Sequence, residues 1–193
     1  RHLPGVALGV VWHSASGLSA QRPTLAAPVR AYVTIDSPIV ALTHVRVIDG
    51  TGAPARNDQT LIIRDGKIAE VGDAVRVAIP TGAQTIDLAG SSVIPGLVMV
   101  HEHLFYPNGG GTYGNYAESF TRLYLAGGVT SMRTGGNMNG YGELGIKRAI
   151  DEGRKPGPWM DATAPYLEGV GTPSAQLYPL KDAPDARRMV EFW

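Results

Sequence analysis

Residues 93–104 read Val93-Ile94-Pro95-Gly96-Leu97-Val98-Met99-Val100-His101-Glu102-His103-Leu104, and this stretch decides how the rest of the chain is interpreted. The apolar run predicts a short buried strand that ends in two histidines. Because side chains alternate along a strand, His101 and His103 are predicted to share one side and Glu102 to take the other. Two converging imidazoles form half of a metal site. The alternative is a pair of ordinary buried or surface histidines.

Upstream of this stretch, residues 29–94 show the alternation and the turn residues of short strands. Asp65-Gly66 between two such runs is a strong hairpin signal, since both residues tolerate the left-handed backbone of a tight turn. The pattern predicts a small antiparallel sheet or sandwich. The predicted strands are 29–35, 40–47, 59–64, 67–71, 85–88 and 92–94.

Downstream of the histidines, the pattern changes to strand, loop and helix repeated three times. The Gly-rich run 105–114 predicts a flexible active-site loop. The repeat is typical of βα units with a parallel sheet, and three units cannot close an eight-stranded barrel. An open sheet of three units is the alternative, although it exposes a parallel edge. The predicted helices are 117–126, 144–152 and 184–193, and the later strands are 129–132 and 159–164.

Four segments together resemble the amidohydrolase superfamily, namely 41–52, 62–72, 86–90 and 93–104. The resemblance covers roughly residues 40 to 193. Within the superfamily, the sequence resembles the imidazolonepropionase-like and dipeptidase-like branch. It implies an α/β protein with a small N-terminal β-sandwich followed by the first three βα units of a truncated (β/α)8 TIM barrel. The expected domains are a β-sandwich over 21–95 and a partial barrel over 96–193.

The first twenty residues differ from the rest. A positive start at Arg1, an apolar run and a small-residue end at Leu18-Ser19-Ala20 describe a secretory signal peptide. This interpretation predicts a secreted or periplasmic protein. A disordered extension or a strand of the sandwich is the alternative. The apolar run is too short to span a bilayer, which needs about 20 apolar residues.

Composition narrows the function. The chain has 17 Lys+Arg and 17 Asp+Glu, so its formal net charge is zero and no basic stripe indicates nucleic-acid binding. It has no cysteine, which leaves imidazole and carboxylate as candidate metal ligands. The expected partner is a small-molecule substrate, and homo-oligomerisation stays open.

The resemblance implies a metal-dependent hydrolase that cleaves an amide or cyclic amide C–N bond through a metal-activated water. It implies a divalent transition metal, with zinc foremost, as one or two ions held in part by His101 and His103. In the family, the remaining ligands come from later strands. They are a carboxylated lysine or a glutamate, two further histidines, and an aspartate that also serves as general base. No catalytic residue is therefore expected within these 193 residues, and this chain alone is expected to be inactive.

Two rival functions stay open. One is an esterase, lactonase or phosphotriester hydrolase that uses the same site, since one activated water attacks several electrophiles. The other is a noncatalytic β-rich binding module whose histidines bind nothing.

Position at the ends of the predicted strands nominates Tyr166, Arg133 and Tyr106 as substrate-binding residues. An aromatic platform and a cation suit a substrate that bears a carbonyl or carboxylate. An Arg that caps carbonyls and a Tyr packed under a loop are the structural alternatives. Glu102, which is predicted to point away from the histidines, is expected to have a structural role.

Overall fold

The computed structural model describes residues 23–172, 174 and 176–193. The predicted signal segment 1–20 lies outside the described residues. The first element is a short helix, α1 (Ala27–Arg30), with a proline at its start. Proline suits this place because its fixed φ is helical and its missing N–H has no partner there.

This helix corrects the strand predicted over 29–35. Only Val29 in that range is buried, and the backbone N–H of Ala26 donates to the carbonyl of Gly153 at 2.9 Å. The alternating pattern does not give a strand here, because no strand among the described residues pairs with this segment.

The next five strands form one mixed sheet. β1 (Ile39–Val47), β2 (Arg56–Arg64) and β3 (Lys67–Asp73) run antiparallel in turn. β4 (Gln84–Asp87) and β5 (Ser92–Val93) both pair with β1 in the parallel direction. The sheet is therefore not purely antiparallel, because the chain crosses from the β3 edge to the far side of β1 before β4 begins.

The predicted hairpin is confirmed in the turn between β2 and β3. Asp65 and Gly66 adopt φ values of 50° and 76°, which match the twist of the flanking strands. Apolar side chains on β1 and β2 form the buried centre of this sheet, with Ala41, Val45, Leu61 and Ile62 each at most 4% exposed. The facing second layer of a sandwich stays a prediction.

The second half contains a parallel three-stranded sheet. Its strands are β6 (Leu97–Glu102), β9 (Val129–Thr134) and β10 (Trp159–Asp161), in the order β10-β9-β6. Helices α2 (Ala117–Ala126) and α3 (Tyr141–Asp151) connect them. This arrangement confirms the mixed α/β class and the strand–helix alternation. The buried core between sheet and helices is Leu104, Ala117, Val129, Met132, Ile146 and Met160.

The predicted flexible loop after the histidines is a β-hairpin. β7 (Phe105–Gly109) pairs antiparallel with β8 (Thr112–Asn115). The Gly-rich run therefore closes a tight turn between two strands.

Three smaller differences concern the βα units. Helix α3 begins at Tyr141, three residues before the predicted start, and β10 ends at Asp161 instead of residue 164. Leu123 is an apolar residue of the predicted helix 117–126, yet it is 64% exposed, whereas Thr121 is buried.

The last elements are a two-strand parallel pair, β11 (Glu168–Gly169) with β12 (Pro179–Leu180), and the terminal helix α4 (Ala183–Phe192). The Asp182 side chain caps α4 by accepting a hydrogen bond from the Asp185 N–H at 2.8 Å. None of the helices in the described part of the chain has the length and apolar character needed to cross a bilayer.

Candidate active site

The two histidines meet at the carboxyl end of β6. Their ring centroids lie 5.1 Å apart with perpendicular planes. The pairing of β6 with β9 shifts register between Met99 and Glu102, so the strand is irregular where it presents these rings. In parallel sheets of βα units, functional side chains collect at this edge.

His103 occupies a half-buried aromatic pocket. Its ring packs against Phe105 at 4.7 Å between centroids, and the Tyr166 hydroxyl lies 3.5 Å from its Nε2. Its Nδ1 is buried and has no hydrogen-bond partner. A buried polar atom without a partner is costly, so this nitrogen has capacity for a ligand.

Two consecutive glycines after β9 make room for the site. An added Cβ at Gly135 would overlap the imidazole of His101, and one at Gly136 would overlap the ring of Tyr166. Gly136 also has a φ of 102°, which side-chain-bearing residues rarely adopt. The Gly135 N–H donates to the Glu102 carbonyl at 2.8 Å. This glycine pair therefore lets β9 and two rings approach closely.

Glu102 points away from the histidines, as predicted. The Tyr124 hydroxyl on α2 donates to its Oε2 at 2.8 Å and lies 3.1 Å from the His103 carbonyl. Burial first, and then the nearby Glu102 carboxylate, raises the pKa of Tyr124 far above its ordinary value. Tyr124 thus stays a protonated donor, and Glu102 has the structural role expected of it.

A polar network joins the ends of the second and third parallel strands. The Thr163 hydroxyl donates to the Thr134 carbonyl at 3.0 Å and accepts from the Gly136 N–H at 2.7 Å. The Asn137 side-chain amide donates to the Thr163 carbonyl at 2.8 Å. The Tyr166 N–H in turn donates to the Asn137 carbonyl at 3.1 Å. The network therefore fixes the loop that carries Tyr166 against the glycine pair.

Glu143, in the first turn of α3, is a buried acid that sequence reasoning did not single out. It is 3% exposed and its Oε2 has no hydrogen-bond partner. Burial raises its pKa to about 7, although the Thr134 hydroxyl and the Leu104 N–H act in the opposite direction. Its spacing to Ile146 and Ala149, which lie on the same buried face, is the signal that could have found it.

The three residues nominated as substrate contacts lie in different surroundings. It brings Tyr166 to His103. It turns the Arg133 guanidinium toward Asp161, with Nε 3.3 Å from Oδ2. Tyr106 lies on β7 and is 63% exposed.

Two cavities flank Tyr166, with volumes of about 430 and 290 Å³. Met138, Tyr166 and Leu177 line both of them. A mostly apolar concavity beside a few polar groups is the usual form of a small-molecule site.

Across the described residues, no group of three or more His, Asp or Glu side chains is arranged to hold a metal ion. Catalytic zinc sites use about three protein ligands. His101 and His103 suit a transition metal in chemistry and placement, because neutral imidazole is its common ligand and His103 Nδ1 is unpartnered. They can supply only part of the ligand set.

Comparison with known sequences finds partial relatives. No family model matches the chain. A dihydroorotase from Syntrophotalea carbinolica is 38% identical over 94 residues, which are 48% of this chain and 20% of that protein. An imidazolonepropionase from Nocardia farcinica is 32% identical over 109 residues, which are 53% and 26% of the two chains. The chain thus spans about a fifth to a quarter of the length of these relatives.

Comparison with solved structures covers more of the chain. A protein from Bifidobacterium longum, provisionally assigned as a prolidase, superposes with a TM-score of 0.59 at 27% identity, over 81% of this chain and 38% of that one. A molinate hydrolase superposes with a TM-score of 0.59 at 22% identity, over 80% and 37% of the two chains. At that lower identity the likeness shows a shared fold alone.

Proposed function

Because the chain belongs to the amidohydrolase superfamily, we propose that it forms part of a metal-dependent hydrolase that cleaves an amide or cyclic amide C–N bond. The observation that carries this proposal is the pair of imidazoles, His101 and His103, at the carboxyl end of β6. The names of the relatives support the bond type, since dihydroorotase and imidazolonepropionase are among them.

His101 and His103 are the residues that would hold a divalent transition metal, with zinc as the foremost candidate and one or two ions as the expected number. When bound, such a metal supplies the Lewis acid that activates water for hydrolysis. The protein contributes the fixed positions of the two rings. Gly135 leaves the space that the His101 ring occupies, and Phe105 packs on the His103 ring.

Tyr166 is our first candidate for contact with the substrate. Its hydroxyl lies beside His103, and Tyr166 lines both cavities. A phenol there can donate a hydrogen bond to a substrate oxygen while its ring packs on apolar parts of a small molecule. Arg133 and Tyr106 stay proposed substrate contacts, with Arg133 needing to leave Asp161 to take that role.

The finer architecture is also a proposal. We propose that residues 21–95 form a β-sandwich domain and that residues 96–193 form the first three βα units of a (β/α)8 barrel. The parallel order β10-β9-β6 supports this, as do the solved neighbours, of which the chain covers 37% to 38%. The further metal ligands and the general base would then come from later strands of such a barrel. Export to the periplasm or beyond stays a proposal that depends on residues 1–20.

Metal content tests the proposed function. We would measure it by elemental analysis on the full-length protein, beside a His101→Ala/His103→Ala double variant and a His44→Ala control. His44 is an exposed histidine on β1 whose Nδ1 lies 2.7 Å from Asp58 Oδ1. We expect one or two ions per chain in the wild type and the control, and their loss in the double variant.

A wild type that takes up no metal even after reconstitution would remove the mechanism and favour the binding-module alternative. Turnover of a panel of dipeptides, cyclic amides and lactones by the metal-loaded protein then separates the amide hydrolase from the esterase or lactonase alternative.

A further inference from the structure

Tyr124 on α2 contacts the segment His101–His103, which carries the two histidines. Its hydroxyl donates to Glu102 Oε2 at 2.8 Å and lies 3.1 Å from the His103 carbonyl oxygen. It comes from α2, whereas the His101 and His103 rings lie beside each other and the His103 ring packs on Phe105. One hydroxyl therefore touches both the side chain between the histidines and the backbone of the second histidine.

The backbone needs such a contact at this point. The pairing of β6 with β9 loses its regular register between Met99 and Glu102, and β6 ends at Glu102. The His103 carbonyl consequently lies beyond the sheet hydrogen bonds, and the Tyr124 hydroxyl shares its single hydrogen between this carbonyl and Glu102 Oε2. A partly buried acceptor left without a donor would favour a rearranged backbone.

Tyr124 is itself firmly placed. Its ring packs against the core beneath the parallel sheet and meets Phe120 edge-on at 6.3 Å between centroids. On the sheet side, the Gly135 N–H holds the Glu102 carbonyl at 2.8 Å. Tyr124 and the Gly135 N–H thus both hydrogen-bond to the segment between the two histidines. The two imidazoles are left to form the site.

We infer that Tyr124 is a positioning residue, which sets the placement of His101 and His103 through Glu102 and the His103 carbonyl. It touches neither the substrate nor the metal. The inference depends on the proposed function for the role of the histidines as metal ligands. Partners of this kind typically change metal affinity by about 10- to 100-fold when removed.

The test compares Tyr124→Phe with Tyr116→Phe in the full-length protein. Both substitutions delete one hydroxyl and keep the ring. Tyr116 is a matched control because its hydroxyl also donates to a side chain, Asn108 Oδ1 at 3.0 Å, and its ring also packs on Phe120. The probes are the His103 ring signals in ¹⁵N NMR of the metal-free protein, and a titration with Co²⁺.

We expect Tyr124→Phe to shift or broaden the His103 ring signals and to weaken Co²⁺ binding by about 10- to 100-fold. The His44 signals, from an exposed ring on the first sheet, should not move in either variant. Tyr116→Phe should leave both readouts at the wild-type level. A Tyr124→Phe protein that melts earlier but keeps the wild-type His103 signals and Co²⁺ affinity would overturn the inference, since the hydroxyl would then only stabilise the fold.

Two further experiments distinguish a failure of this inference from a failure to fold and from a failure of the proposed function. Should Tyr124→Phe fail to fold, Glu102→Gln and Glu102→Met replace it, because Gln keeps an acceptor for the hydroxyl and Met does not. We then expect altered His103 signals only for Met, and equal signals in both variants would contradict the inference. Should the wild type bind no Co²⁺, the proposed function fails, while the NMR readout still decides whether Tyr124 positions His103.

Discussion

The imidazole of His101 lies in the space that a side chain on Gly135 would fill. An ideal Cβ on Gly135 would fall inside van der Waals contact of three ring atoms of His101, including Nε2. Gly135 has an ordinary negative φ, unlike its neighbour Gly136. The requirement for glycine at position 135 is therefore one of space, set by the ring on the adjacent strand.

Gly135→Ala is expected to displace the His101 ring. Overpacking at such a contact typically costs about 1–3 kcal/mol, and a displaced ring weakens metal binding. The measurement is metal affinity together with the free energy of unfolding. Gly145→Ala is the control, because a Cβ at this exposed helical position meets nothing within 4 Å. It should stabilise the protein by about 0.5–1 kcal/mol. Unchanged metal affinity in Gly135→Ala would show that the ring can move without consequence.

The raised pKa of the buried Glu143 carboxyl leads us to predict that stability depends on pH. Its pKa rises from an ordinary 4.5 to about 7 on folding because the carboxyl is buried. Between these values the folded state binds more protons than the unfolded state, so the free energy of unfolding falls as pH rises from 4.5 to 7. The loss amounts to roughly 3 kcal/mol.

Chemical denaturation of wild type and Glu143→Gln at pH 5 and pH 8 checks this prediction. The variant should lose less stability than the wild type across that interval, because its amide does not ionise. Glu118→Gln is the control, since Lys155 lowers the pKa of the exposed Glu118. That carboxylate is already ionised at pH 5, so the control should keep the wild-type trend. Identical pH trends in wild type and Glu143→Gln would contradict the assignment.

Thr163→Val is expected to loosen the loop that carries Tyr166. The substitution keeps the shape but removes the hydroxyl that serves the Gly136 N–H and the Thr134 carbonyl. Leaving such groups without partners costs about 1–3 kcal/mol. Thermal or chemical unfolding measures the change. Thr85→Val on the exposed face of β4 is the control and should stay within about 0.5 kcal/mol. Equal effects in the two variants would mean that water replaces the Thr163 hydroxyl.

Tyr166→Phe tests the proposed substrate contact. Loss of one hydrogen bond to a substrate oxygen should lower kcat/KM by about 10-fold on whichever substrate the panel identifies. Tyr106→Phe provides the comparison, because Tyr106 is a rival candidate on the exposed hairpin strand β7. We expect the smaller effect from Tyr106→Phe. A larger one would move the substrate contact from Tyr166 to the hairpin.

Several parts of this fold follow from local signals. Asp65-Gly66 predicts its hairpin because the turn conformation depends on those two residues alone. The apolar run before His101 predicts its strand in the same way. Val29 shows the limit of such signals. Alternation around it indicates a strand, yet the segment forms a short helix and pairs with no strand in the described part of the chain.

The candidate site also has features that local sequence predicts and features that only tertiary packing sets. The sequence by itself determined that an apolar strand ends in two imidazoles and that Glu102 points away from them, since both statements depend on neighbouring residues. The predicted burial of that strand was wrong, because Leu97, Val98 and Val100 are 46%, 65% and 73% exposed. Only the tertiary structure decided that Tyr124, Gly135 and Glu143 lie around that strand end, and that of the nominated residues Tyr166 reaches His103. Counted from His103, these residues lie 21 to 63 positions further along the chain. Their contacts arise from the packing of separate βα units, which no local periodicity encodes.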